Sequence, residues 1–163
     1  MAEEESNQGE KGARIAKVMA RAGLCSRREA ERWIEDGRVQ VNGDTLRSPA
    51  VAVTNDDQVI VDGKALPPRD LARVWRFYKP VGVLTTERDP EGRQTIYDVL
   101  PRDLPRVIPV GRLDINSEGL LLLTNDGELK RQLELPQNAQ KRRYRVRVHG
   151  RVSESALQKL KKG

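Results

Sequence analysis

The 163 residues are enough for one ordinary domain or two small ones, and 37% hydrophobic against 33% charged residues implies a modest core under a heavily charged surface. Lys+Arg 30 against Asp+Glu 24 leaves a formal net charge of +6, which suits a polyanionic partner. The single cysteine, Cys25, excludes an intramolecular disulfide or a cysteine-based metal cluster and fits a reducing, cytoplasmic setting; no apolar run approaches the ~20 residues of a membrane helix.

Residues 1–12 are acidic and polar and are expected to form a disordered tail; Met1 to Glu5 has no basic region leading into an apolar one, so a signal peptide is not expected. From Arg14, the residues Ile15, Val18, Met19 and Ala22 follow the i, i+3, i+4, i+7 spacing of an amphipathic helix that Gly23 ends. Ser26-Arg27-Arg28-Glu29 has the form of a capping box, which predicts a second helix with Ala30, Trp33 and Ile34 inward and Gly37 at its close. Val39-Gln40-Val41, the Asn42-Gly43 turn and Val59-Ile60-Val61 read as short strands joined by hairpin chemistry. The predicted unit, 14–63, is thus two helices followed by strands. Lys17, Arg21, Arg27, Arg28, Arg32 and Arg38 are its candidate phosphate-binding cations. A charged helix face is often only solvated, but three arginines around a helix start, where backbone amides favour anions, point to phosphate binding.

The run Arg14 to Glu31, with Arg38-Val39-Gln40-Val41-Asn42-Gly43 after it, resembles the alpha-L RNA-binding motif named for ribosomal protein S4. In that family the two helices grip structured RNA by its shape and backbone. It is a shared module and does not by itself identify an enzyme.

Residues 64–72, with Pro67-Pro68, read as a short linker that tethers the first unit loosely; 73–163 form the second. Val74 to Tyr78 reads as a strand running into Lys79-Pro80-Val81-Gly82-Val83-Leu84-Thr85-Thr86, with a bend or a sheet edge at Pro80. Residues 87–95 form a surface loop, and Thr95 to Leu100 a short helix or strand. Val110 to Gly127 is the most apolar and glycine-punctuated stretch. In it Arg112 and Asp114 stand before Leu120 to Leu123, expected to be a buried strand, and Asn125-Asp126-Gly127 is a structural turn. Glu128 to Leu135 reads as a helix with Leu129, Leu133 and Leu135 inward. Across 141–151 strict alternation predicts a strand with Tyr144, Val146 and Val148 on one face and Arg143, Arg145 and Arg147 on the other; Ser153 caps a last helix.

The only histidine, His149, has no carboxylate or cysteine at ligand spacing, so no metal site is expected and a histidine-based triad lacks support. Trp33 and Trp75 are read as core packing. For Asp114 two readings stand: a surface aspartate in a turn, or a carboxylate held at the edge of a core for chemistry. If Arg112 to Asp114 is extended, the two side chains share a face, and a guanidinium nearby would keep the carboxylate ionised.

The combination of Lys79-Pro80-Val81-Gly82-Val83-Leu84-Thr85, Gly111-Arg112-Leu113-Asp114, Glu118-Gly119-Leu120-Leu121-Leu122-Leu123-Thr124-Asn125-Asp126-Gly127 and Arg143-Tyr144-Arg145-Val146 resembles the RsuA/RluB-type ribosomal RNA pseudouridine synthases. An alpha-L domain precedes the catalytic domain in that branch. The resemblance implies an α+β chain: the small RNA-binding domain, then part of a mixed, mainly antiparallel sheet domain. It also implies Asp114 as catalytic nucleophile, Tyr144 as active-site tyrosine, and Lys79, Pro80 and Arg112 as support for the substrate pocket. Ser117 stands where threonine is usual. Family members continue with more strands and a late basic motif, so the chain is expected to be the N-terminal portion of a longer synthase.

The implied reaction is isomerisation of one uridine of ribosomal RNA to pseudouridine, with the nucleotide flipped out of structured RNA and no cofactor or metal. The implied partner is ribosomal RNA, with no membrane or DNA, and the protein is expected to be a cytoplasmic monomer. The alternative is a non-catalytic ribosomal-RNA-binding protein acting through the alpha-L domain. A glycoside hydrolase is a further rival, and would require a second carboxylate to activate water.

Overall fold

The computed structural model describes residues 12–162, so the expectation for the N-terminal tail lies outside the described residues except at Gly12. The fold is α+β, and its paired strands are all antiparallel.

The first unit opens on β1 (Ala13–Arg14), which pairs with β4 (Ala52–Val53). Helix α1 (Ile15–Arg21) follows at once, and α2 (Arg27–Glu35) begins after Ser26, whose hydroxyl accepts a hydrogen bond from the Glu29 amide at 3.2 Å. Strands β3 (Asp44–Thr45), β2 (Val39–Val41), β5 (Val59–Val61) and β6 (Lys64–Ala65) make a four-stranded sheet in that order. The β2–β3 hairpin turns at Asn42 (φ 52°) and Gly43 (φ 92°), both left-handed as an Asn-Gly two-residue hairpin requires. Ile15, Met19, Ala30, Ile34, Val39, Val59 and Val61 form the core, with Trp33 packed against it, so the expected apolar stripes meet. The sheet runs past residue 63, because β6 pairs with β5.

The second unit has its own core of Val83, Ile96, Val107, Leu121 and Leu123. Its sheet is β7 (Val74–Lys79), β9 (Gly119–Thr124) and β8 (Ile108–Val110), with β9 central. Trp75, Phe77, Leu121 and Leu123 point into the core, as expected for Trp75. The leucine run is not buried on both faces, however: Leu120 is 67% exposed. In a ladder, alternate side chains leave by opposite faces, and here only one face is fully covered. Strand β7 ends at Lys79, and the chain bends at Pro80. Thr95 to Leu100 contains a one-turn helix, α3 (Ile96–Val99), whose Asp98 carboxylate accepts from the Thr95 amide at 2.7 Å.

Helix α4 (Gly127–Glu134) starts at Asp126, whose carboxylate accepts from the amides of Glu128 at 2.7 Å and Leu129 at 3.0 Å. Burial alone would raise the Asp126 carboxyl, but these bonds and Arg69 hold it low. Leu129, Leu133 and Leu135 are half-buried. A 3-10 turn, Pro136–Asn138, follows.

The expected strand over 141–151 does not form: the segment has no regular structure, and Tyr144, Val146 and Val148 are exposed. Alternation supplies a face, but a strand also needs a neighbour for its amides and carbonyls, and none of the described strands pairs with this segment. Helix α5 (Glu154–Lys162) does form, started by Ser153, whose hydroxyl accepts from the Ala156 amide at 3.2 Å.

Ion pairs connect the two units. Glu128 on α4 binds Lys17 at 3.0 Å and also Arg21, both on α1, and Arg69 in the connecting segment pairs with Asp126. The proline-bearing linker is short, and these ion pairs link α1 to α4. Among the described residues, no helix is long and apolar enough to cross a membrane, and no group of three or more His, Cys, Asp or Glu is placed to hold a metal.

Candidate active site

The loop from Gly111 to Glu118 joins edge strand β8 to central strand β9 and carries Asp114 at its exposed tip. Gly111 takes φ +73°, which turns the chain out of β8, and its amide donates to the Glu134 carboxylate at 2.6 Å. Lys130 closes the other side, with Nζ donating to the Pro109 carbonyl at 2.7 Å and to Glu134 at 2.6 Å. Helix α4 therefore anchors the root of the loop.

Lys79 anchors the tip. It is fully buried, and its ammonium donates to the carbonyls of Pro80 (3.0 Å), Asp114 (3.0 Å) and Ser117 (2.8 Å). An ammonium has three N–H donors, and here each has one carbonyl acceptor. Burial pushes the Lys79 ammonium below its ordinary value, and the Asp114 charge opposes that shift. The Ser117 amide also donates to the Asp114 carbonyl at 3.0 Å, which closes the loop into a turn.

The chain after Lys79 folds back along the loop and holds it at two more points. Gly82, at φ +85°, donates its amide to the Ile115 carbonyl at 2.8 Å. The buried Thr85 hydroxyl donates to the Leu113 carbonyl at 2.8 Å and accepts from the Leu113 amide at 3.3 Å. Every backbone position from Leu113 to Ile115 is thus held, while the Asp114 side chain is exposed to solvent. A carboxylate on a rigid loop is suited to attack or proton transfer, since its position is set before a substrate arrives.

Arg112 is exposed beside it, two residues back, but no ion pair joins Arg112 to Asp114; neither side chain makes a hydrogen bond or ion pair among the described residues. Pro80 contributes its carbonyl to Lys79. Tyr144 is 65% exposed in the irregular segment, and among the described residues no hydrogen bond joins it to the Asp114 loop. Sequence reasoning missed the clamps supplied by Thr85, Gly82 and Glu134. Thr85 and Gly82 lay within the quoted Lys79 to Thr85 run; Glu134 had no signal, because only the packing of α4 on β8 brings it there. Tyr78 was also missed; it precedes Lys79 and donates its hydroxyl to Glu118 at 2.7 Å, a bond that pushes the Tyr78 hydroxyl above its ordinary pKa.

The candidate RNA-binding cations divide into two sets. Lys17 and Arg21 are engaged by Glu128, whose carboxyl the Lys17 hydrogen bond and Arg21 charge hold below its usual range. Arg38 grips Asp62 with two bonds, 2.9 and 2.5 Å, and lies 4.3 Å over the Trp33 ring. Arg27, Arg28 and Arg32 are exposed, and their guanidinium groups have no partner among the described residues.

Residues 13–59 match the S4 domain and residues 73–162 match the RNA pseudouridylate synthase family. An uncharacterized RNA pseudouridine synthase of Rickettsia felis is 51% identical over 138 residues, which are 85% of this chain and 60% of that protein. The ribosomal large subunit pseudouridine synthase B of Pseudomonas aeruginosa is 46% identical over 157 residues, 93% of this chain and 40% of its own length. The Haemophilus influenzae protein of the same name is 45% identical over 165 residues, covering 97% and 46%. The chain therefore spans at most about three fifths of these relatives.

Proposed function

Because the chain belongs to the RNA pseudouridylate synthase family, we propose that it carries the nucleophile and RNA-binding unit of an enzyme that isomerises a uridine of large-subunit ribosomal RNA to pseudouridine. The relatives named for the large subunit support that choice of RNA. The observation that carries the reading is the loop on which Asp114 is exposed while Lys79, Thr85 and Gly82 hold the backbone around it.

A uridine in folded RNA hides its glycosidic bond, so it must be flipped out at a cost of a few kcal/mol of unstacking. Phosphate contacts from Arg27, Arg28 and Arg32 offset that cost. The Asp114 carboxylate then attacks the ribose C1′, and the C1′–N1 bond breaks with its electron pair on uracil. The uracil rotates in place, and its C5 displaces the carboxylate from C1′. Loss of the C5 proton and protonation of N1 restore the aromatic ring and complete an isomerisation without net gain or loss of atoms. The reaction requires water to be kept away from C1′, and no second carboxylate is needed to activate it. Glu118 is already engaged by Tyr78. Tyr144 is the proposed stacking and proton-handling residue; it takes that role only when residues 141–152 close over the Asp114 loop.

The test is Asp114→Ala at the chromosomal gene, followed by pseudouridine mapping of the ribosomal RNA. One site is expected to revert to uridine. Retention of every site would overturn the assignment. Binding of RNA with no release of tritium from C5-labelled uridine would instead support a non-catalytic RNA-binding role.

A further inference from the structure

We propose that the cleft between α2 and the loops spanning 86–107 is a docking groove for RNA phosphodiester backbone, through which both units hold one strand. This rests on the RNA reading above. The cleft has a volume of about 750 Å³. One wall, on α2, carries Arg28 and Arg32; the other carries Arg88, Arg102 and Arg106. Two carboxylates, Glu29 and Glu87, also line it, and Glu87 pairs with Arg106 at 2.5 Å.

Arg28, Arg32, Arg88 and Arg102 are exposed, and their side chains have no ion pair or hydrogen bond among the described residues. Outside the cleft, Lys17, Arg21, Arg38, Arg69 and Arg93 each meet a carboxylate, whereas Arg27 and Arg112 have no such partner among the described residues. Guanidinium groups facing each other across a cleft repel until an anion enters, and a phosphate offers each of them a matching pair of oxygens.

A linear polyanion fits better than a small anion, because the arginines belong to two separate units. The floor is uncharged: the Tyr97 hydroxyl donates to the Val107 carbonyl at 3.1 Å, and Leu100 and Leu104 lie beside it. Val107 leads directly into β8, and β8 into the Asp114 loop. The ion pairs from Lys17 and Arg21 to Glu128 link α1 to α4.

The test is fluorescence anisotropy with a labelled 12-nucleotide oligouridylate, titrated with this chain over a series of KCl concentrations. The variant R88Q/R102Q changes only the wall outside the S4-type unit. R47Q/K64Q, on residues outside the cleft, removes the same charge and is the control. Each lost phosphate contact to a single strand lowers the slope of log K against log salt by about 0.7. R88Q/R102Q is expected to bind more weakly with a slope shallower by about 1.4, and the control to keep a slope nearer that of the unaltered chain. Equal slopes for the two variants would overturn the proposal. So would unchanged oligouridylate binding by R88Q/R102Q combined with weakened binding of oligoglutamate, which would mark a groove for acidic protein. Asp114→Ala separates the two readings. If it abolishes a pseudouridine while the R88Q/R102Q slope is unchanged, only the groove fails. If every pseudouridine persists while the slope falls, only the catalytic assignment fails.

Discussion

Lys79→Met tests whether the Asp114 loop is held from beneath. The substitution keeps most of the buried volume and removes the ammonium. The Asp114 carbonyl retains its bond from the Ser117 amide, but the Lys79 bonds to the carbonyls of Pro80 and Ser117 are lost. An unpaired buried acceptor costs roughly 1–3 kcal/mol, so two cost roughly 2–6 kcal/mol. Burial of the ammonium, which pushes its ionisation down, no longer has to be met and returns part of that. We expect a net loss of about 2 kcal/mol. For a unit of 60–100 residues each kcal/mol lowers Tm by about 4–8 °C, so the fall is roughly 8–16 °C by calorimetry. Pseudouridine formation, assayed in the intact enzyme below the new Tm, is expected to fall by about 10²-fold, because a displacement near 1 Å at the nucleophile suffices for that. Lys79→Arg is expected to fail also, since the site is fully buried and sized for an ammonium. A Lys79→Met protein with unchanged Tm and unchanged rate would refute the reasoning.

Glu128→Gln removes the carboxylate that engages Lys17 and Arg21. Two cations become available to RNA, so affinity is expected to rise and the salt slope to steepen by about 1.4 on a single strand; a slope that stays the same would show that α1 does not face RNA. Asp89 is the acid-sensitive group of the 87–95 loop: hydrogen bonds from the Arg93 side chain and amide bring its carboxyl down to about 2. Its folded value lies below its unfolded one, so its stabilising contribution is full above about pH 4 and is lost as pH falls through about 2. Carboxyl titration by NMR should place its midpoint near 2, and a midpoint near 3.9 would contradict the Arg93 pairing.

Local chemistry was legible without coordinates. The Ser26 cap, the Asn42-Gly43 turn and the helical stripes of Ile15, Met19, Ala30 and Ile34 depend on neighbours within a few residues, and the structure has all of them. The bend at Pro80 is local in the same sense. Motif order also placed Lys79 and Asp114 in one family pattern. Local pattern misled in two places. It could not report that Leu120 would face solvent, because that depends on what covers the sheet. Nor could it create a strand at 141–151, because a ladder needs a partner.

Tertiary structure alone decided how Asp114 is held. Lys79 and Asp114 are 35 residues apart, and Thr85 and Leu113 are 28 apart. Their meeting depends on β7 pairing with β9, with Lys79 opposite Gly119, which brings the end of one strand to the loop that feeds the other. The same distinction applies to charge. Arg21 and Arg28 read alike in the chain, yet Glu128 meets one across the interface and the other is unpaired in the cleft. Sequence established which residues were charged, apolar or able to cap. Long-range packing established which charges were satisfied, because a partner a hundred residues away leaves no local periodicity to read.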